Sequence, residues 1–345
     1  MEPVRFVPLA AGGVLGMPRP YENSRGARIP ASLVKYDVTG QELVQEALGN
    51  GVSSSGFFSV DAQQRVLTVT TAFDGSTSMS VCRRHTSDGT ADSSFGGSGC
   101  SHITGLPLAH ASGVISLPSG GALAGSPSYL VQLTASGARA PQFGTDGVFL
   151  LEPGDSVDSF LAQSDGHILV SLRAWNNAAQ RKLIRLTPSG ALDPSFANAG
   201  TLPDMGGPIL VRADDTFLHL RAKSIAAYLP DGTPDEGFGT NGTVNLQEAT
   251  GIDADQFGTR GFTQDASGRI YVTAVFTKEG RDGGLVARLT PTGAFDPEFH
   301  VRDASGAPIT SVGSTLTVGA DGKIWVMLSV GEGDSVRAGL ALLLP

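Results

Sequence analysis

One phrase recurs along this chain at a nearly constant interval. An apolar segment ends in Arg or a similar residue, and a turn then leads into the pattern D-x-x-F-G-x-x-G. The best copies are KLIRLTPSGALDPSFANAG at residues 182–200 and LVARLTPTGAFDPEFH at residues 285–300. Repetition of this kind indicates that the chain grows by adding similar units, each of which packs on its neighbours.

A second phrase lies between successive copies of the first. It consists of an apolar segment, a turn of the Asp-Gly or Ser-Gly type, and a second apolar segment. Runs such as HILVS and RIYVTA are β-branched or aromatic and too short for helices, so each unit should supply about four strands. These are strand a before the turn, b after it, c in the L-x-R-L run and d after F-G-x-x-G. The central turn residues, separated by 46 to 56 residues, are Gly12, Gln64, Gly120, Gly166, Asp215, Gly268 and Gly322.

Four-stranded units at a period of about 50 residues are typical of β-propeller blades, which bury both faces by radial packing. The sequence therefore predicts an all-β propeller of seven blades, mostly of four antiparallel strands, with almost no helix. Residues 1–345 are expected to form a single domain. Seven a–b–c sets but only six d segments are present, so one blade should lack its outer strand. Such an edge allows strand addition by a partner, although a short harmless edge is the simpler expectation.

The repeat also resembles a known family. The phrase R-L-T-P-S-G-A-L-D-P-S-F followed by Gly, with a D-G-x-I-x-V strand in each unit, resembles the bacterial delta-60 repeat β-propellers. The order of strands is similar to that of the NHL propellers. Departures lie in residues 41–51, where Leu48 replaces the Phe, and in residues 140–142, where the expected Asp is absent. The resemblance implies a fold and brings no catalytic motif with it.

Aromatic residues at one fixed position of the repeat predict packing between neighbouring blades. They are Phe95, Phe143, Phe196, Phe238 and Phe299. The two cysteines lie in one predicted hairpin, with Cys82 on a c strand and Cys100 just after the following turn. The two cysteines could therefore form a disulfide or remain as free thiols. A disulfide would favour a periplasmic or secreted location.

Charge and hydropathy limit the partners. The net charge is −9 and no Lys/Arg cluster is present, which argues against nucleic acid. No run approaches the roughly 18 apolar residues of a membrane span. The first residues do not form an intact signal peptide. We expect a secreted or periplasmic protein whose leader is absent from this sequence, with a cytoplasmic location as the alternative.

Signatures of catalysis are absent from the sequence. No histidine pair has zinc-site spacing, and no nucleophile or nucleotide-binding motif occurs. The sequence therefore predicts no catalytic residue and no cofactor. One long loop, residues 245–261, carries Asp253 and Asp255, whose carboxylates suit Ca²⁺ but whose spacing does not fit an EF-hand.

Loops between strands b and c should project from one rim and frame a recognition surface. The candidate ligand-binding residues on this rim are Tyr21, Glu22, Arg25, Arg28, Trp175 and Asn176. The main functional expectation is a non-catalytic binding or scaffold module for a protein or glycan, recognised at the rim or in the central channel. The alternative is a lactonase-like lyase or hydrolase with a metal-assisted site in the channel. Because the acids are scattered and no histidine recurs at a channel-facing position, the sequence favours the binding module over an enzyme.

Overall fold

The computed structural model describes most of the chain as a series of antiparallel sheets. The described residues are 5–10, 12–17, 21–22, 28–29, 32–39, 41–47, 57–71, 77–85, 89–107, 110–174, 177–299, 312–313, 315–319, 321–330 and 337–343. Within them the chain forms seven sheets, a two-stranded ribbon and one five-residue helix. The prediction of an all-β propeller with almost no helix is confirmed. None of the described helical residues forms a helix long and apolar enough to cross a membrane.

Each sheet is an antiparallel meander of strands that follow one another in the sequence, apart from the ribbon inserted in the first sheet. The first sheet and the ribbon contain β1 (Arg5–Pro8), β2 (Val14–Met17), β3 (Tyr21–Glu22), β4 (Arg28–Ile29), β5 (Ser32–Tyr36) and β6 (Glu42–Ala47). The second and third sheets contain β7 (Phe57–Val60), β8 (Arg65–Thr70), β9 (Thr77–His85), β10 (Cys100–Thr104), β11 (Gly113–Ser116), β12 (Ala122–Gly125), β13 (Tyr129–Leu133) and β14 (Val148–Leu150).

The fourth and fifth sheets also have four strands. They contain β15 (Asp155–Ala162), β16 (Ile168–Ala174), β17 (Asn177–Leu186), β18 (Thr201–Pro203), β19 (Ile209–Val211), β20 (Phe217–Leu220), β21 (Ser224–Tyr228) and β22 (Thr243–Asn245). The helix α1 (Leu246–Thr250) follows. The last two sheets have three strands within the described residues: β23 (Gln256–Gln264), β24 (Ile270–Lys278), β25 (Arg281–Leu289), β26 (Leu316–Val318), β27 (Ile324–Val330) and β28 (Arg337–Leu343). The d strand predicted after Phe299 falls on residues 300–311, outside the described residues.

The turns between strands a and b share one backbone conformation. All seven turn residues aligned in the sequence have φ between 58° and 89°. Gln64 and Asp215 adopt this left-handed conformation although residues other than glycine rarely do. The repeat in the sequence is therefore a repeat of one a–b hairpin.

Hydrophobic side chains fill the gaps between successive sheets. Six buried clusters join the first sheet to the second and so on to the seventh. The seventh sheet meets the first where Lys323 Nζ donates to the Val38 carbonyl oxygen at 2.7 Å. First strands of neighbouring sheets contact one another, as β15 contacts β11 and β19. The first strand of each sheet therefore lines the centre of the ring.

A latch built from Arg, Asp and Phe fastens one sheet to the next. Arg185 Nε donates to Asp193 Oδ2 at 2.7 Å, and the guanidinium lies 5.0 Å from the centre of the buried Phe196 ring. Arg185 Nη1 donates to the Pro230 carbonyl oxygen of the fifth sheet. The amide of Ala197 donates to the Asp231 carbonyl oxygen, also in that sheet, at 2.7 Å. The residues of one repeat phrase therefore form an ion pair within their own sheet and also hydrogen-bond to the backbone of the next sheet.

The same latch recurs in other sheets, and it explains why Arg, Asp and Phe recur at fixed positions of the repeat phrase. Its counterparts are Arg83, Asp92 and Phe95 in the second sheet, and Arg288, Asp296 and Phe299 in the sixth. In the second sheet, the hydroxyl of Ser94 donates to Asp92 and, with Arg83, lowers the pKa of that carboxyl to about 2. All five repeat phenylalanines are at most 6% exposed.

Two sheets depart from the latch in different ways. In the fifth sheet Ala227 occupies the arginine position, and Arg212 from the a–b turn lies over Phe238 instead, at 5.7 Å. In the third sheet a buried Ala140 occupies the position of the acid, so the buried Phe143 has no ion pair beside it at that position. In both sheets the phenylalanine is retained although the arginine or the aspartate of the latch is replaced.

The structure joins Cys82 and Cys100 by a disulfide. The two residues are direct cross-strand partners on β9 and β10. The bond closes a loop with a sequence separation of 18 residues.

Replacing both cysteines by Ala is expected to lower the free energy of unfolding by about 3 kcal/mol, because the unfolded chain regains the freedom of that loop. Urea unfolding of the two proteins measures the difference. A reductant should destabilise the wild type and leave the double variant unchanged. Equal stability of the two proteins under oxidising conditions would contradict the prediction.

Candidate functional site

The rim candidates fall in two places. Tyr21 and Glu22 form β3, which pairs with β4, and Arg28 is the direct partner of Glu22. Arg25 lies outside the described residues. Trp175 and Asn176 also lie outside them, between Ala174 and Asn177, which pair at the end of the β16–β17 hairpin. The structure thus brings three candidates into one ribbon and leaves their role in ligand binding as a prediction.

The two aspartates of the long loop hold a neighbouring hairpin. Asp253 pairs with Lys278, and Asp255 Oδ2 accepts from the Glu279 amide at 2.8 Å. Both partners lie at the turn between β24 and β25. Within the described residues no group of three His, Cys, Asp or Glu side chains is arranged to hold a metal ion.

The long loop also contains a short helix that the sequence analysis did not predict. The Asn245 side chain accepts from the Gln247 and Glu248 amides and caps α1, and Glu248 accepts from the Asn245 amide group at 2.8 Å. The donor to Glu248 is the Asn245 side-chain Nδ2 atom, so the contact differs from a capping box, in which the glutamate accepts from the backbone amide of the cap residue.

A polar region separates the fourth and fifth sheets above their shared hydrophobic cluster. Leu169 on β16 and Phe217 on β20 belong to that cluster, so they mark the faces that the two sheets turn towards each other. Because side chains alternate along a strand, Ser171 and Arg173 share the face of Leu169. We call this region the polar seam; it comprises Ser156, Asp158, Ser171, Arg173, Arg181, Gly206, His219 and Arg221.

Asp158 stands at the inner edge of the polar seam. The pairing of β15 with β16 shifts register between Val157 and Ser159, which leaves Asp158 as the extra residue of a β-bulge. Bulges re-aim a side chain and are frequent beside active sites. Asp158 Oδ2 accepts from Arg181 Nη1 at 2.5 Å, and each side chain is about one-third exposed.

Arg181 reaches this carboxylate across a glycine. A Cβ atom added to Gly206 would lie 2.6 Å from Arg181 Cδ, so any side chain at residue 206 would displace the arginine. The Gly206 carbonyl oxygen accepts from His219 Nε2 at 2.7 Å. The loop that enters the fifth sheet therefore connects the ion pair to a buried histidine.

His219 occupies a position that is hydrophobic in neighbouring repeats. It follows its turn residue by four positions, as Val170 and Val272 follow theirs, and both valines are buried. Burial lowers the pKa of His219, and the Arg221 guanidinium adds to this effect. Arg221 Nε lies 3.4 Å from His219 Nδ1, and its Nη2 donates to the Tyr228 hydroxyl at 2.7 Å. The neutral imidazole thus bonds to the Gly206 loop on one side and to Arg221 on the other.

A pH dependence of stability follows from the lowered pKa of His219. The unfolded imidazole takes up a proton near its ordinary pKa of 6.5, whereas the folded one stays neutral to lower pH. The stability due to this group is therefore present above pH 6.5 and is lost as the pH falls below it.

In urea unfolding between about pH 7.5 and about pH 5.5, the wild type should lose more stability than His219→Asn. Other titrating groups are common to both proteins, so the difference between the two slopes isolates this histidine. Parallel curves for the two proteins would contradict the assignment.

Two buried hydroxyl groups lie in the polar seam. Ser156 is the direct partner of Arg173 across β15 and β16, so it shares the same face. Ser156 and Ser171 are 1% and 2% exposed, and neither Oγ atom has a hydrogen-bond partner. In the sixth sheet, by contrast, the hydroxyl of Thr273 at the position of Ser171 donates to the Gly313 carbonyl oxygen. The hydroxyl groups of Ser156 and Ser171 in the fourth sheet are therefore available for further hydrogen bonds.

A cavity lies where several a–b turns meet. It has a volume of about 510 Å³ and is lined by residues that include Pro8, Gln64, Gln264 and Arg269. Arg269 Nε donates to Asp265 Oδ2 at 2.7 Å, and the amide group of Gln264 bonds to its own turn. Its charged groups are thus paired with each other, whereas within the described residues Arg173 and Arg221 of the polar seam have no carboxylate partner.

The sequence analysis missed the polar seam, although one signal was present. His219 stands where other repeats carry a hydrophobic residue, and a buried polar group at such a position marks a site. Asp158 and Arg181 in the fourth repeat and Arg221 in the fifth have no equivalent signal in the sequence. The predicted rim residues Trp175 and Asn176 follow Arg173 by two and three positions in the sequence and lie outside the described residues.

Comparison with known proteins agrees with the fold. The family described as "Domain of unknown function (DUF5122) beta-propeller" matches residues 163–196 and 266–299. Each matched segment runs from an a–b turn to a latch phenylalanine. Comparison with curated proteins gives no match. The match supports a propeller-repeat family over two repeats, while the finer likeness to delta-60 repeats stays a prediction.

Several solved structures are similar to this chain at low identity. A putative 6-phosphogluconolactonase from Bacteroides uniformis is 12% identical, with coverage of 96% of this chain and 99% of that one and a TM-score of 0.52. BBS1N in complex with ARL6DN is 10% identical, with coverage of 100% and 93% and a TM-score of 0.51. A gluconolactonase from Xanthomonas campestris is 13% identical, with coverage of 99% of each chain and a TM-score of 0.42. At such identities these similarities establish the fold alone.

The comparisons correct the functional expectation. The sequence favoured a non-catalytic binding module over an enzyme, whereas a similar propeller structure is named as a putative 6-phosphogluconolactonase. The expectation failed because it required a histidine recurring at one channel-facing position. A catalytic site needs each of its groups only once, so the lack of a recurring histidine did not argue against an enzyme.

Proposed function

We propose that this protein is a propeller hydrolase that opens a lactone or a related ester at the polar seam. The observation that carries the proposal is the Asp158–Arg181 ion pair, held on a bulge of an inner strand and partly open to solvent. The name of the similar 6-phosphogluconolactonase structure supports the choice of reaction. The position of the Asp158–Arg181 pair within the polar seam supports the choice of this region as the reaction site.

The residues of the polar seam suit ester hydrolysis. The Asp158 carboxylate takes a proton from a water molecule as the water oxygen attacks the carbonyl carbon. The Arg181 guanidinium stabilises the negative charge that develops on the carbonyl oxygen. The bond between the carbonyl carbon and the ring oxygen then breaks as the ring oxygen takes up the proton held by Asp158, and the new carboxylic acid releases its own proton to water. The products are a carboxylate and a hydroxyl on one open chain, with no change in oxidation state.

Rigid elements hold these two groups in place. Arg181 lies on β17 and passes over Gly206, and Asp158 is fixed by the strands that flank its bulge. His219 holds the Gly206 loop from beneath. Pre-organised charges of this kind lower a barrier because they do not have to reorient during the reaction.

Acid release from sugar lactones tests the proposal. The wild type is mixed with gluconolactone and with its 6-phosphorylated form near neutral pH, and a pH indicator follows the carboxylic acid produced. Rates are corrected for spontaneous hydrolysis in buffer and for heat-denatured protein. We expect saturable acceleration of at least one lactone. Rates equal to the buffer control for both lactones, and for a simple aryl ester, would contradict the proposal.

Two finer assignments belong to the same proposal. The Cys82–Cys100 disulfide supports a periplasmic or secreted location, because such bonds persist in oxidising compartments. The latch phrase supports the resemblance to delta-60 repeat propellers.

A further inference from the structure

Two arginines lie directly opposite each other at the solvent-exposed end of the polar seam, which we call its mouth. Arg173 on β16 and Arg181 on β17 are cross-strand partners, and Arg173 is exposed. Like charges in this arrangement destabilise a sheet. A cost of this kind at an exposed position is typical of a functional residue.

The fifth sheet adds a third arginine from the other side. Arg221 follows His219 by two positions, so it shares the face that is turned towards the fourth sheet. The contacts of its guanidinium with His219 and Tyr228 involve neutral groups. Arg173 and Arg181 of the fourth sheet and Arg221 of the fifth thus lie on the two faces that these sheets turn towards each other.

The acids at this mouth do not balance these charges. Asp158 pairs with Arg181, and within the described part of the chain no carboxylate pairs with Arg173 or Arg221. The exposed Asp204 lies at the start of the loop that carries Gly206, and the exposed Lys223 follows Arg221. The chain as a whole carries a net charge of −9, so an excess of positive charge is a local feature of the polar seam.

The buried hydroxyls supply an independent observation. Ser156 and Ser171 lie on the face of Arg173 and are almost fully buried, and both Oγ atoms lack a partner. Nearly all buried polar atoms in proteins form hydrogen bonds, because an unsatisfied one costs stability. Two hydroxyl groups without a hydrogen-bond partner thus lie on the same face as Arg173, where they could donate to an oxygen-rich ligand.

We propose that the mouth of the polar seam is an anion subsite, in which Arg173 and Arg221 bind a carboxylate or phosphate group of the substrate. The inference rests on the proposed function only in taking the ligand to be the substrate. Guanidinium groups recognise both anions through paired N–H donors, and this geometry is lost in lysine. The substrate class is therefore a small lactone or ester that carries a fixed negative charge.

Direct titration tests the subsite without requiring turnover. Calorimetry measures binding of inorganic phosphate and, in a separate arm, of gluconate, which distinguishes phosphate from carboxylate as the preferred group. The proteins are the wild type, Arg173→Gln, Arg221→Gln and Arg221→Lys. Loss of one charge-assisted contact should weaken binding of the preferred anion about 10- to 100-fold. Arg221→Lys should recover only part of the loss.

Arg281→Gln is the matched control, since Arg281 is also exposed and begins β25 away from the polar seam. We expect it to bind as the wild type does. Binding that is absent in the wild type, or that weakens equally in all variants, overturns the anion subsite. Because Arg173 is exposed, Arg173→Gln should fold. If Arg221→Gln proves unstable, Arg173→Gln still decides the test.

The outcomes separate this inference from the proposed function. Hydrolysis of a neutral lactone without binding of either anion would overturn the subsite and leave the hydrolase. Binding of an anion that depends on Arg173, with no lactone hydrolysed, would overturn the hydrolase and leave the subsite.

Discussion

Replacing Phe196 by Ala is expected to lower the free energy of unfolding by about 3–5 kcal/mol. The ring is fully buried in the cluster between the fourth and fifth sheets, where its centre lies 6.2 Å from that of Phe217. It also lies under the Arg185 guanidinium and beside Gly232 of the next sheet. The substitution therefore leaves a cavity and removes the surface on which the latch rests. Urea unfolding measures the loss.

Leu192→Ala is the matched control for this substitution. Leu192 belongs to the same repeat phrase and is 45% exposed. Its truncation should change stability by less than about 1 kcal/mol, because surface substitutions have small effects. Equal losses for the two variants would show that Phe196 is not the packing centre of the repeat.

Replacing Asp158 by Asn is expected to lower kcat for lactone hydrolysis by about 10²- to 10⁴-fold, the usual contribution of a positioned proton acceptor. The amide keeps the size of the side chain but accepts no proton from water. It also leaves Arg181 without its charged partner. Since both side chains are partly exposed, the fold should tolerate the change. Initial rates of acid release give the effect on kcat.

Asp253→Asn serves as the control for this rate. Asp253 also pairs with a basic residue, Lys278, and its side chain is 89% exposed. The control should retain the rate of the wild type. If Asp158→Asn also retains it while lactones are hydrolysed, the reaction occurs elsewhere in the molecule.

The fold could be predicted from the sequence because each repeat carries its own local signals. The turn residues Gly166 and Gly268 mark the same hairpin, and the apolar runs that flank them have the length of strands. Phe196 recurs at a fixed place, which indicates its packing role. The ion pair of the latch was not predicted, since Arg185 and Asp193 become neighbours only when strand c and the following turn fold back on each other.

The candidate site could not be predicted in the same way. Asp158 and Arg181 are brought together by strand pairing within the fourth sheet, and radial packing of the fifth sheet then adds His219. The exposure of Asp158 depends on a bulge whose position has no clear sequence signal. A repeat pattern reveals residues that recur in every unit, whereas each of these candidate residues occurs in one unit only. His219 was the exception, because it interrupts a hydrophobic position.

The central claim is that the polar seam, and not the cavity at the a–b turns, is the functional site. A crystal structure of the protein grown with the open-chain acid of its best lactone tests this claim most directly. We predict that the product lies in the polar seam, with its carboxylate within hydrogen-bonding distance of Arg181 or Arg221. Product bound instead in the cavity lined by Gln64 and Gln264, with the polar seam empty, would contradict the claim.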